Sequence, residues 1–192
     1  MHFSVVFMAI NLKKGCSAEI GISHALVGLG WNPSDTGEEF DLDASAFMLG
    51  ANNKIPADEF FVFYNNQSSP DGSVKSSGDD RTGGNSDGGD DESLTVDLIN
   101  VDSRIKEIVF VVSIYECMQR KQHFGLVQDA YIRICDEDTG KEIARYQLDD
   151  DFGGMTLIEF GKLVRKGRSW EFIALGNAYK KELDYLVDKY AG

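Results

Sequence analysis

The chain has 192 residues, 42% of them apolar, which is enough to enclose one medium-sized core and excludes an intrinsically disordered protein. A formal net charge of −13 argues against nucleic acid as a direct partner, because a phosphate backbone would meet mostly acidic surface. No apolar run approaches the roughly eighteen residues that a membrane-spanning helix needs.

The first nine residues read as an N-terminal extension or a first strand, and residues 10–192 as a single domain. Residues 3–10 form an apolar run about as long as a signal-peptide core. No basic residue precedes it, no small-x-small cleavage site follows, and Lys13 and Lys14 lie on the wrong side. Met8 is a second candidate start. Three cysteines, Cys16, Cys117 and Cys135, are odd in number and lack CxxC spacing, so buried thiols and a reducing, cytoplasmic setting are expected rather than disulfides or zinc.

Beyond the terminus, short apolar segments rich in Val, Ile, Phe and Tyr alternate with Gly, Asn, Asp and Ser clusters. They predict strands over 26–31, 42–50, 59–64 and 94–98, then over 105–115, the most apolar and so a central strand covered on both faces. Further strands are expected over 130–135, 143–148, 157–164 and 170–175. Regular spacing, with turn pairs such as Asp71-Gly72 and Lys166-Gly167, predicts an all-β sandwich of two mainly antiparallel sheets. Two pieces read as helical: a polar turn over 117–124, and a C-terminal helix over 178–190 whose stripe of Tyr179, Leu183, Leu186, Val187 and Tyr190 should face the sandwich.

Residues 79–92, DDRTGGNSDGGDDE, hold six carboxylates and one arginine but no aliphatic or aromatic side chain. Such a segment either stays solvated or gathers around a cation, and its glycines let the backbone turn and present carbonyl oxygens. Asp79, Asp80, Asp87, Asp90, Asp91 and Glu92 are candidate donors there. Asp41 and Asp43 flank Leu42, so their carboxylates point to one side of an extended chain. Asn65 and Asn66, after the strand ending at residue 64, offer amide oxygens. This all-oxygen set suits calcium, and two divalent ions would offset the repulsion among the acids. Magnesium suits it less, zinc and copper lack the His and Cys they favour, and the spacing is not that of an EF-hand.

The chain resembles the TerD family of bacterial tellurium-resistance proteins from about residue 10 onward. The matching phrases include LVGLGW at 26–31, FDLDASAFML at 40–49, FYNN at 63–66, PDGSV at 70–74, GDDRTG at 78–83, GDDESL at 89–94, FVVSIYE at 110–116 and ALGNAY at 174–179. The resemblance implies a β-sandwich that binds calcium in loops at one end. It also implies a non-enzymatic stress-response module working in complexes at the inner face of the bacterial membrane. Carried onto this chain, the ligands are Asp41, Asp43, Asp79, Asp80, Asp90, Asp91 and Glu92, with Asn65 a further candidate. The loop between Arg81 and Asp90 is about two residues longer than the family pattern, so the resemblance does not settle Asp87.

Other signals carry less. LVGLGW lacks the lysine and spacing of a phosphate loop, so Gly28 and Gly30 point to tight turns or close packing. Arg81 is expected to pair with its acidic neighbours, and Arg120, Lys121 and His123 to form a solvated basic face. Three functions share the acidic site: a calcium-ordered module that assembles with other stress-response proteins, a calcium-dependent binder of anionic membrane, and, last, a metal-dependent hydrolase, for which no nucleophile is evident.

Overall fold

The structure, a computed structural model, describes residues 14–32, 39–84 and 89–192. The expectations for residues 1–9 and for Asp87 lie outside them.

The strands form two antiparallel sheets. The larger runs in the order β1 (Ser17–Ile20), β11 (Ser169–Tyr179), β10 (Leu157–Lys166), β7 (Glu107–Ile114), β3 (Leu42–Leu49) and β4 (Phe61–Val62). The smaller runs β5 (Val74–Ser76), β6 (Glu92–Asp97), β2 (His24–Asn32), β8 (Gln128–Asp136) and β9 (Glu142–Gln147). The expected sandwich is therefore present. Strand β7 is the buried central strand its composition implied, hydrogen-bonded to β3 on one side and β10 on the other. In β2 the alternation Ala25, Val27, Leu29, Trp31 turns one face into the core, with all four residues buried.

Several boundaries differ from expectation. Residues 58–60 form a 3-10 turn, which leaves a two-residue β4 where a six-residue strand was expected. The polar helix is shorter, α1 (Cys117–Arg120), and a second 3-10 turn covers Phe124–Leu126. A third short helix, α2 (Leu148–Asp151), follows β9.

The C-terminal helix α3 spans Asp184–Tyr190 and starts later than its stripe suggested, because β11 continues to Tyr179, which pairs with Leu157. Tyr179 thus belongs to a strand, while Leu186 and Tyr190 carry the buried face of the helix.

Helix α3 lies on the outer face of the larger sheet. The Tyr190 ring meets Phe47 at 5.0 Å, and Phe47 stacks on Phe61 at 4.2 Å. Beneath the helix, Glu159 is 1% exposed and accepts hydrogen bonds from Tyr190, Lys189, Asn177 and Tyr179. Burial alone would push this carboxyl up, but those four donors hold it below the ordinary glutamate range. Cys117 and Cys135 are buried as expected, Cys16 is exposed, and all three are free thiols. No helix among the described residues is long and apolar enough to cross a membrane.

Candidate metal centre at one end of the sandwich

The register places the acidic segments at one pole. Leu42 pairs with Ile114, and Asp43 with Ser113, at the end of the larger sheet where β3 begins. The smaller sheet begins β6 at Glu92, opposite Leu29, and the loop that precedes it reaches across. Glu92 joins the two. One of its oxygens accepts the Ala44 amide at 2.9 Å and the other accepts the Asp80 amide at 3.0 Å. The β3–β4 pairing covers only Ala46 and Phe47, so the Ala44 amide lies beyond it and a side chain from the opposite sheet supplies the acceptor. Asp43 and Glu92 therefore share one site.

Here one carboxylate oxygen each from Asp41, Asp43 and Asp79 lies within 4.8 Å of the others. Oxygens around one calcium ion, each at about 2.3–2.6 Å from it, are at most roughly 5 Å apart, so this trio fits a single shell. Asp41 and Asp43 are 8% and 4% exposed, and Asp41 Oδ1 is buried with no hydrogen-bond partner among the described residues. An orphaned carboxylate oxygen in such a place is costly unless something positive meets it.

The electrostatics agree. Burial, with Asp79 close by, pushes the Asp41 carboxyl up to about 6. Burial together with Asp41 and Asp79 pushes Asp43 up to about 7. Burial pushes Glu92 up to about 8 against the two amides that favour its charged form, with Asp43 and Asp79 adding to the rise.

The trio opens into a cleft of about 210 Å³ whose walls include Arg81, Arg120, Tyr64 and Tyr115. Arg81 pairs with Asp79 at 3.3 Å, as expected. Arg120, expected on a solvated face, instead lines this cleft and pairs with Glu116 at 3.2 Å.

The remaining expected ligands take other positions. Asp80 Oδ1 accepts the amides of Thr82 and Gly83 at 3.0 and 3.1 Å, closing the loop on itself. Asp91 Oδ2 accepts the Trp31 amide at 2.8 Å. Asn65 is exposed, and Tyr64 rather than Asn65 lines the cleft. Asn66 donates to the Glu59 and Phe61 carbonyls and shapes the turn.

Asp90 lies against the smaller sheet, outside the trio. It forms a two-pronged ion pair with Arg133, both contacts at 2.9 Å, and accepts the Tyr131 hydroxyl at 2.9 Å. Among the described residues the structure gathers one group of three carboxylates, Asp41, Asp43 and Asp79.

The Asp90 clasp also explains LVGLGW. Gly28 pairs with Arg133 and Gly30 with Tyr131 across β2 and β8. A Cβ at Gly28 would fall within the Asp90 carboxylate, and one at Gly30 would stand 2.6 Å from the Tyr131 ring. Close packing is thus the reason for both glycines. Sequence reasoning missed Arg133 and Tyr131. The available signal was the alternation of Tyr131 and Arg133 with the buried Ala130, Ile132 and Ile134 in β8, which faces two glycines once the register is known.

A two-sheet β-sandwich with an acidic, partly dehydrated cleft at one end defines the class. The TerD domain family matches residues 8–190, and the chain belongs to that family. It is 42% identical to the tellurium resistance protein TerD of Serratia marcescens over 189 residues, covering 95% of this chain and 97% of that one. It is 40% identical to general stress protein 16U of Bacillus subtilis (strain 168), covering 95% and 97%. A crystal structure of SAV2460, titled as a protein of unknown function, superposes with a TM-score of 0.72 at 26% identity, covering 87% of this chain and 95% of that one.

Proposed function

We propose that this protein is a non-catalytic calcium-binding module of a bacterial stress or tellurium response, acting in the cytoplasm. Asp41, Asp43 and Asp79 would hold the ion, which supplies the positive charge that the buried carboxylates lack. Glu92 and Asp80 would transmit that order to the loop, since the Glu92 carboxylate ties the Asp80 amide to β3. Ion-ordered loops would then present a surface for other stress-response proteins, including complexes at the inner face of the membrane. The observations that carry this reading are the three carboxylate oxygens of Asp41, Asp43 and Asp79 within 4.8 Å of one another, and a buried Asp41 Oδ1 that finds no hydrogen-bond partner among the described residues. The stress-related names of the relatives support the biological setting.

The test is a calorimetric calcium titration of the purified protein, with melting followed in calcium and in chelator. An ion that binds only the folded state adds about 2.7 kcal/mol when present at a hundred times its dissociation constant. No binding heat and an unchanged melting temperature would end the proposal.

A further inference from the structure

We infer that the acidic cleft is also a phosphate-oxyanion site, completed by the calcium ion and by Arg81 and Arg120. The inference rests on the calcium reading and extends it to a second ligand.

The two arginines are its starting point. A guanidinium carries only donors and cannot ligate a metal, and two of them beside a cation site oppose the cation by repulsion. Each already has one carboxylate partner, Asp79 for Arg81 and Glu116 for Arg120, and an anion shared by metal and guanidinium would take up the donors that those pairs do not use. Arg81 engages Asp79 through Nε only, and its terminal nitrogens make no hydrogen bond to the described residues. Arg120 donates from Nε and one terminal nitrogen to a single oxygen of Glu116, at 3.3 and 3.2 Å, and its other terminal nitrogen makes no hydrogen bond to the described residues.

The cleft wall holds these groups in place. The Arg120 guanidinium lies 5.5 Å from the Tyr115 ring centre, and Tyr115 meets Tyr64 edge to face at 6.4 Å. The forked donors of arginine match the oxygens of phosphate, and the phenol hydroxyls add neutral donors. On the metal side, calcium takes six to eight oxygens. Three carboxylates leave several of those positions to water or to an entering ligand.

The same arrangement dictates order. Without the cation, a phosphate would meet Asp41, Asp43 and Asp79 and be repelled. With it, each ligand strengthens the other by the same factor. Two sources share this chemistry, a free phosphate monoester and the headgroup of an anionic lipid.

The experiment uses the full chain and begins with a calcium titration alone. Phenyl phosphate is then titrated calorimetrically with calcium and with chelator. In parallel, vesicles of phosphatidylcholine, with and without phosphatidic acid, are tested by co-sedimentation. The comparison set is Arg81→Gln, Arg120→Gln and, as a charge control that does not line the cleft, Lys75→Gln.

Calcium-dependent binding of at least one probe is expected, weakened at least about tenfold in each arginine variant and unchanged in the control. Calcium affinity measured without phosphate stays equal or tightens in the arginine variants. A response to phenyl phosphate identifies a soluble ligand, and a response only to phosphatidic acid vesicles identifies a headgroup. Calcium uptake with neither probe bound, or with probes bound equally by the arginine variants, overturns the inference alone. A first titration without calcium uptake overturns the calcium reading and this inference with it.

Discussion

The carboxylate of Asp90 occupies the space that a Cβ at position 28 would need, held there by Arg133. The glycine and the acid, far apart in the chain, form one contact that docks the acidic loop on the outer face of the smaller sheet. Gly28→Ala must therefore displace Asp90 or shift β2, at a cost of about 1–3 kcal/mol. In an Asp90→Ala background the same substitution should cost about 1 kcal/mol less, because the obstructing group is gone. Denaturant midpoints of the four proteins check this. Equal costs in both backgrounds would show that the contact is not energetically coupled.

Asp43 is expected to trade stability against binding. It is 4% exposed and near Asp41 and Asp79, so its charge is unfavourable when no cation is present. Asp43→Asn should raise the stability of the metal-free protein at pH 8 by on the order of 1 kcal/mol while abolishing measurable calcium binding. Melting curves in chelator, set beside calcium calorimetry, read the two effects separately. A variant that is less stable without metal contradicts the electrostatic account.

The pH dependence has a definite sign. A carboxyl whose folded pKa exceeds its unfolded value binds more protons when folded, so its stabilising effect is present at low pH and lost as pH rises through the folded value. For Asp41, Asp43 and Glu92, raised to about 6, 7 and 8, that window runs from the ordinary carboxylate range near about 4 up to about 8. Asp71, Asp102 and Glu159 are held low, so their contributions are lost in the opposite direction, as pH falls below about 4. Desalted, metal-free protein should melt at a higher temperature at pH 5 than at pH 8, and saturating calcium should remove or reverse that difference. A melting temperature that rises from pH 5 to pH 8 without calcium would count against it.

Glu159 anchors α3 independently of the cleft. Four donors converge on it, including Lys189 at 2.6 Å. Glu159→Ala leaves buried donors unmatched and should cost on the order of 3 kcal/mol. Amide exchange should quicken at Ile55, which donates to the Tyr190 carbonyl, while calcium affinity stays unchanged. Unaltered protection at Ile55 would mean that packing of Tyr190 on Phe47 suffices to hold the helix.

Local chemistry determined much of this protein. Alternating β-branched and aromatic runs dictated strands, and both Asp71-Gly72 and Lys166-Gly167 form turns with glycine at φ of 70° and 65°. The D-x-D pair at the start of β3 presents its carboxylates together because side chains alternate along an extended chain. The C-terminal helix was legible from its spacing. Its start was not, because Tyr179 suits either a helix stripe or a strand edge, and its pairing with Leu157 is a tertiary fact.

Tertiary structure alone decided which acids converge. In sequence, Asp90 and Asp91 are neighbours of equal chemistry, yet one clasps Arg133 and the other caps the Trp31 amide. The choice depends on β2–β8 register, which sets Gly28 against Arg133 and leaves over Gly28 the space that the Asp90 carboxylate fills. Glu92 likewise reads as one more loop acid, and becomes the link between sheets only because β6 begins beside the Ala44 amide of β3, which β4 does not reach. Strand formation depends on residues one and two apart, whereas charge convergence depends on which distant strands lie side by side.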